Sequence, residues 1–272
     1  MVRSELIKIL EEHGIPDAGF EVSCMLEQIT GDRYAVSLSA EQKQQISAMI
    51  QRRISGEPLQ YILGEWEFYG MRLFVGKGVL IPRPDTEILA DTVLNWSKGK
   101  SGLKILDLCT GSGCIALALK RHLPDAAVTA VDISEKALAY ARKNAEYHQL
   151  AVDFHHADVL DKNFAKQFQA YDIIVSNPPY LTGQEMTELQ TEVKHEPAIA
   201  LFGGSAEDGT YFYRKITSIW KDALRPGGLL AYEIGWKQGL RVSELMQSNA
   251  FDKIQVIQDY EHRDRVAAGE KI

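Results

Sequence analysis

From residue 103 onward, short apolar runs alternate with segments of helical length, a rhythm that restricts the chain to a layered α/β sheet. The runs are LKILDL, AAVTAVD, VDFHHAD, YDIIVS and GGLLAYEIG. Between them lie CIALALKRHL, SEKALAYARKNAEYH (capped by Ser134) and a helix near 209–224. Strands this apolar need cover on both faces, which parallel strands with crossover helices provide. KIQVIQDY and DRVAAGE close the chain as an expected antiparallel pair at one edge. The fold class read from this pattern is a doubly wound, mostly parallel α/β sheet.

The first sixty residues differ. Ser4 is placed to cap a helix carrying Leu6, Ile7 and Leu10, stopped at Gly14. Pro16 and Asp17 open a second, with Met25, Leu26 and Ile29 on one side and Gly31 beyond its end. Ser39 and Gln42 have capping-box spacing for a third, with Ile46, Met49, Ile50 and Ile54 on its apolar face and Gly56 and Pro58 ending it. Around Gly70 and Gly76 the chain turns aromatic and β-branched, as a hairpin does. PRPDTE then starts a helix, with Asp85 as its expected cap. The expected organisation is a helical bundle over 1–63, a β-hairpin connector over 64–84 and the α/β domain over 85–272.

Composition narrows the function. The 272 residues carry 30 basic and 37 acidic side chains, a formal charge of −7. Proteins that live by phosphate contacts show the opposite balance or a dense basic stripe, so stable nucleic-acid binding is not expected. Cys24, Cys109 and Cys114 lack paired spacing, which argues against a disulfide framework or structural zinc. Adjacent His155 and His156 on a strand face opposite ways, and no metal is expected. No apolar run approaches the ~20 residues of a membrane span. The opening MVRSELIKILEEHG reads as a plain helix, and the expected location is cytoplasmic.

Ligands of open α/β sheets bind beyond the carboxyl ends of the strands. The first strand ends in DLCTGSGCIA, where Gly111 and Gly113 allow a tight turn and close backbone approach. The second ends in Asp132, suited to ribose hydroxyls, and the third in Asp158 before Val159. The loop also matches the G-x-G-x-x-[GA] pattern of nicotinamide-dependent oxidoreductases, which stays open as a rival. Against that rival, Asp107 would set a carboxylate near a pyrophosphate, whereas the same group suits the α-ammonium of S-adenosylmethionine.

The fourth strand ends in SNPPY, residues 176–180. Asn177 precedes proline and is held extended. Its side-chain oxygen can take one hydrogen of a substrate NH₂, and the Pro178 carbonyl, outside any sheet ladder, the other. Tyr180 offers a face for a planar group. Two fixed acceptors orient a weakly nucleophilic nitrogen toward a sulfonium methyl group, and orientation of this kind contributes up to ~7–11 kcal/mol. N-P-P-Y is shared with N6-adenine DNA methyltransferases, so on its own it indicates amino methylation and leaves a nucleic-acid substrate open. A non-catalytic cofactor-binding scaffold is a further reading, disfavoured because a scaffold has no use for Asn177.

Taken together, GEWEFYG, GVLIPRPDTE, DLCTGSGCIALAL, IVSNPPY, HEPAIALFGG and RPGGLLAYEIG resemble the blocks of the peptide chain release factor glutamine N5-methyltransferases, in order and over nearly the whole chain. The resemblance implies a Rossmann-like, seven-stranded class I methyltransferase domain using S-adenosylmethionine, behind a helical domain that docks class 1 release factors. It implies that Asn177 and Pro178 act catalytically on the glutamine of the Gly-Gly-Gln loop, in a pocket shaped by Pro179 and Tyr180. Asp107, Cys109, Thr110, Gly111, Ser112 and Gly113 would surround the methionine part of the cofactor. Asp132 would take the ribose, Asp158 and Val159 the adenine, and Asn177 would also border the cofactor. PRPDTE, with Arg83 and Glu87, would line the substrate pocket, while His195 and Glu196 are expected in structural roles. The expected working form is a monomer. Two positions depart from the family: Cys109 stands where glycine is usual, and Val159 where an aromatic is common, with Phe164 a candidate substitute.

Overall fold

The structure, a computed structural model, describes residues 3–205 and 207–272. Four helices come first: α1 (Arg3–Glu12), α2 (Ala18–Thr30), α3 (Ala40–Ile54) and the short α4 (Leu59–Leu63). They enclose a core of their own, in which Leu6, Leu10, Met25, Leu26, Ile46 and Ile50 are buried. The capping box forms as expected: Ser39 Oγ accepts from Gln42 N–H, and Gln42 Oε1 accepts from Ser39 N–H. Ser4 is not a cap. It lies inside α1, which already runs from Arg3.

A hairpin follows, β1 (Glu65–Phe68) with β2 (Met71–Phe74), closed by Tyr69 and Gly70, both at positive φ. It is shorter than the expected connector, because residues 75–83 run on as a loop toward the sheet. Asp85 sits within a 3₁₀ turn, Pro84–Thr86, ahead of α5 (Glu87–Trp96) and does not cap it. Its carboxylate pairs instead with Arg265 at 3.0 Å.

Seven strands make the main sheet: β3 (Lys104–Leu108), β4 (Ala127–Asp132), β5 (Asp153–His156), β6 (Tyr171–Ser176), β7 (Leu224–Glu233), β8 (Phe251–Gln258) and β9 (Asp264–Lys271). Their order is β5-β4-β3-β6-β7-β9-β8. The first five in that row are parallel, and β9 runs antiparallel to both its neighbours. Connections are made by α6 (Cys114–His122), α7 (Glu135–His148), α8 (Lys162–Ala165), α9 (Gly183–Thr187), α10 (Tyr211–Trp220) and α11 (Gly239–Ser248). The sequence reading missed α4, α11 and the short α8 and α9.

Side-chain alternation sorts the sheet into two cores. Ile105, Val175, Leu229 and Ala231 meet α5 and α6 on one face. Leu106, Ile174, Leu230 and Tyr232 meet α10 and α11 on the other. Trp220, Tyr213 and Tyr232 are fully buried on that second face, each worth roughly 1.5–3 kcal/mol through its apolar part. Their polar atoms are all matched: Trp220 Nε1 donates to the Val159 carbonyl at 2.7 Å, Tyr213 to the Glu233 carbonyl, and Tyr232 meets Thr217 Oγ1. Among the described residues no helix is long and apolar enough to cross a membrane.

Candidate active site

The order β4-β3-β6 places the strand reversal between β3 and β6, so the loops after these strands share one crevice. The turn after β3 is built from left-handed residues, with φ of 64° at Cys109, 57° at Gly111 and 81° at Gly113. Gly113 also packs tightly on α7, where a Cβ would stand 3.2 Å from Ala141 Cβ, closer than ordinary contact. At Gly111 nothing lies within 4 Å of such an atom, so glycine serves the backbone angle and leaves the ligand side open. Cys109 carries the same angle with a side chain, which costs about 1–2 kcal/mol. The departure at 109 therefore acts through the backbone and not through size.

Asp132, at the end of β4, ties the crevice together. One carboxylate oxygen accepts from Gly111 N–H and the other from Ser134 N–H, both at 2.8 Å. Each oxygen keeps a second lone pair for a hydroxyl. Burial pushes the Asp132 pKa up, against the lowering by those two donors. After β5, Asp158 is exposed and its carboxylate accepts from Leu160 N–H at 2.8 Å. Val159 is buried on the cavity wall.

Ser176 Oγ, at the end of β6, donates to the Leu108 carbonyl at 2.5 Å and joins this strand end to the glycine turn. The next residue, Asn177, is half-buried and borders the same cavity as Gly111, Asp132 and Asp158. Its side-chain amide makes no hydrogen bond with any other described residue. Beyond it, the backbone is gripped from outside. Leu181 N–H donates to the Leu201 carbonyl at 2.9 Å and Gly203 N–H to the Leu181 carbonyl at 2.8 Å. Gln238, buried, donates to the Tyr180 carbonyl at 3.1 Å. Gly203 and Gly209 both press on the Tyr180 backbone, and neither leaves room for a Cβ.

Cys109, Thr110, Ser112 and Pro179 also line the cavity, whereas Asp107, Gly113, Pro178 and Tyr180 do not. Asp107 lies under the turn at 0% exposure, one oxygen accepting from Thr110 Oγ1 at 2.6 Å and the other without a partner among the described residues. Burial raises its pKa to about 7. Tyr180 turns its hydroxyl 3.3 Å from Glu233, a buried carboxyl whose pKa burial also pushes up. Burial lifts the Cys114 thiol to about 12 and Cys109 well above its ordinary value, so neither is a thiolate nucleophile at neutral pH.

Part of the cavity lining comes from the connector and the segment after Tyr180, through Ile81, Pro82, Arg83, Pro197, Ile199 and Ala200. Of PRPDTE, then, Pro82, Arg83 and Thr86 reach the cavity. Glu87 does not: its carboxylate accepts from Tyr69 N–H at 2.7 Å. Phe164 does not supply the expected aromatic face either, since it packs into the core against Phe168 and Trp220. The aromatic on the cavity wall, among the described residues, is Phe212 from the first turn of α10.

Sequence reasoning also missed Asn144. Fully buried on α7, it exchanges hydrogen bonds with Phe74 and donates to the Ser112 carbonyl at 3.0 Å, linking the hairpin to the glycine turn. A buried amide in a helix whose neighbours are polar leaves little trace in the sequence. For Gln238 the position just before a helix was a signal, but that helix itself was not read.

Residues 2–64 match the PrmC N-terminal domain family and residues 84–201 the methyltransferase small domain family. A release factor glutamine methyltransferase of Thermodesulfovibrio yellowstonii is 43% identical over 233 residues, covering 84% of this chain and 82% of the relative. One from Fusobacterium nucleatum is 36% identical over 278 aligned residues, covering 97% of this chain and 77% of the relative. A methyltransferase from Pyrococcus furiosus shares the fold at 18% identity, with a TM-score of 0.55 over 86% of this chain and 99% of that one.

Proposed function

The chain belongs to the release factor glutamine methyltransferases, and from that premise we propose that it methylates N5 of the glutamine in the Gly-Gly-Gln loop of class 1 release factors. The observation that carries the site assignment is Asn177: a half-buried amide with no partner among the described residues, lining a cavity shared with the glycine turn and two strand-end carboxylates.

The residues fit S-adenosylmethionine, which when bound supplies an electrophilic methyl group on a sulfonium sulfur. Cys109, Thr110, Gly111 and Ser112 offer a concave backbone surface, and Gly113 starts the helix behind it. Asp107 has one unpaired buried oxygen below that surface. Asp132 has free lone pairs for ribose hydroxyls, and Asp158 and Val159 border the place left for adenine. Asn177 Oδ1 accepts one hydrogen of the substrate amide, and the Pro178 carbonyl, which lies outside the cavity lining between Asn177 and Pro179, accepts the other once the amide has entered. Pro179 closes the wall beside them, and Tyr180, anchored on Glu233 and Gln238, stiffens the turn from behind. An amide nitrogen is a poor nucleophile, so the acceptors act by fixing its orientation and enriching its electron density. With the amide nitrogen so held, formation of its bond to the methyl carbon would be matched by breakage of that carbon's bond to sulfur, S-adenosylhomocysteine would leave as a neutral thioether, and one amide proton would pass to solvent.

The helical region over 1–63 docks the release factor, the connector over 64–84 carries part of the substrate wall, and 85–272 performs the transfer. Support for the first comes from its separate core and from exposed Phe20, Tyr34 and Val36. The chain acts as a monomer in the cytoplasm, and its net charge of −7 supports a protein substrate over a nucleic acid.

The test is incubation with labelled S-adenosylmethionine and a class 1 release factor, beside a Gln→Ala version of its Gly-Gly-Gln loop and a DNA control. Label on the release factor, absent from the Gln→Ala version, is expected; label on DNA alone rejects the reading. Asn177→Ala is expected to keep cofactor affinity and lose at least ~10²-fold in turnover, as removal of one positioned polar group does elsewhere.

A further inference from the structure

The chain leaves the Asn–Pro–Pro–Tyr turn and returns to it. Leu181 is paired with Leu201 and Gly203, so residues 182–200 form an arch closed at its base. The tip of this arch reaches the N-terminal helices. Glu192 accepts from Arg53 Nη2 at 2.9 Å, and Arg53 Nε donates to Glu21 at 2.7 Å. Arg53 is 3% exposed, on α3, and its guanidinium is held between a carboxylate of the helical region and one of the arch. The arch also packs closely on the end of α3, since a Cβ on Gly56 would stand 2.6 Å from the Thr191 side-chain atom Cγ2.

The descending limb is held by the connector. Glu196, buried, accepts from Ile81 N–H at 2.9 Å and pairs with Arg83. The residues that follow at once, Pro197, Ile199 and Ala200, are cavity wall. One continuous segment thus runs from Glu192, bonded to a buried arginine of the helical region, to residues that line the same cavity as Asn177.

We propose that Arg53 is a positioning residue for the substrate side of the cavity, acting through Glu192 and the arch. It couples the placement of the helical region to the shape of the pocket that receives the glutamine. This rests on the assignment of the cavity as the methyl-transfer site. The linkage is made by charge and close packing rather than by a covalent hinge, so it can be cut at Glu192 while the Arg53–Glu21 pair inside the helical region stays intact.

The experiment compares Glu192→Gln, Arg53→Gln and the double variant with the unaltered chain. It reads cofactor Kd by calorimetry, kcat/KM on a release factor, the unfolding midpoint, and amide hydrogen exchange at Leu201, Phe202 and Gly203, all donors in hydrogen bonds at the arch base. Glu192→Gln is expected to leave cofactor Kd within about threefold and the midpoint unchanged, while kcat/KM falls about tenfold and those amides exchange faster. The double variant should be no worse in kcat/KM than Arg53→Gln alone, because both lie on one linkage. Unchanged exchange at the arch base and unchanged kcat/KM in Glu192→Gln would overturn the proposal, as would additive losses in the double variant. Should the unaltered chain methylate no release factor, the catalytic reading fails, and the exchange comparison still decides whether Arg53 orders the arch.

Discussion

Gly203→Ala isolates the support behind the Asn–Pro–Pro–Tyr turn. Gly203 needs no unusual backbone angle, so alanine there adds only a methyl group. That methyl would lie 2.8 Å from both Cα and the carbonyl carbon of Tyr180, where ordinary contact begins at 3.4 Å. Both sides are backbone, so no side chain can swing aside, and Tyr180 must retreat by about 0.6 Å, or 2.8 to 3.4 Å. Overpacking by one methyl group in a closed site costs about 1–3 kcal/mol. A 1 Å misplacement can cost about 10²-fold in rate, so a shift of this size should lower turnover about tenfold. The assay is steady-state methylation of a release factor, with cofactor Kd measured calorimetrically. Gly183→Ala, in the same segment with nothing within 4 Å of the added atom, is the control and should behave as the unaltered chain. If Gly203→Ala keeps kcat within twofold while Gly183→Ala does the same, the turn is not held from behind as described.

Two further outcomes follow from the site. Cys109→Gly removes a side chain from a residue at φ 64°, and should raise the unfolding midpoint by a few degrees, for about 1 kcal/mol, with cofactor Kd little changed; a lowered midpoint would contradict the strain. Asp107 titrates at about 7 in the folded chain and near ~4 when unfolded, so between those values the unfolded chain has lost a proton that the folded one keeps. Its stabilising share is therefore present below pH ~4, declines as pH rises and is gone above about 7, and the stability difference between the chain and Asp107→Asn should slope across that window. A difference independent of pH would mean that Asp107 is ionised throughout.

Much of this was legible in the residues because the deciding interactions are local. Strand ends follow from the alternation of apolar runs, and the turn, Asp132, Asp158 and Asn177 fall at four such ends. The Ser39–Gln42 box is written in a four-residue spacing and forms as written. What stayed hidden depends on residues far apart in the chain. Arg53 and Glu192 are separated by 139 positions, Ile81 and Glu196 by 115, and no period or spacing connects them. Asp85 resembled a cap because acids precede many helices, but its preference was overridden by Arg265 from β9. Phe164 resembled a stacking residue because it is aromatic and follows Asp158, yet the apolar cluster around Trp220 claims it. Local chemistry was readable; competition among distant partners was not.

The placement of β9 sets a schedule for the ribosome. This strand is made after β8 but lies between β8 and β7, so the earlier strand has no native ladder to join until β9 is available. Until then β7 carries an open edge of the kind that invites wrong pairing between chains. The same late strand brings Arg265 to Asp85 and Asp259, and sets Val266 against Glu233, behind Tyr180. The Asn–Pro–Pro–Tyr turn therefore gains its backing in the same step that closes the sheet.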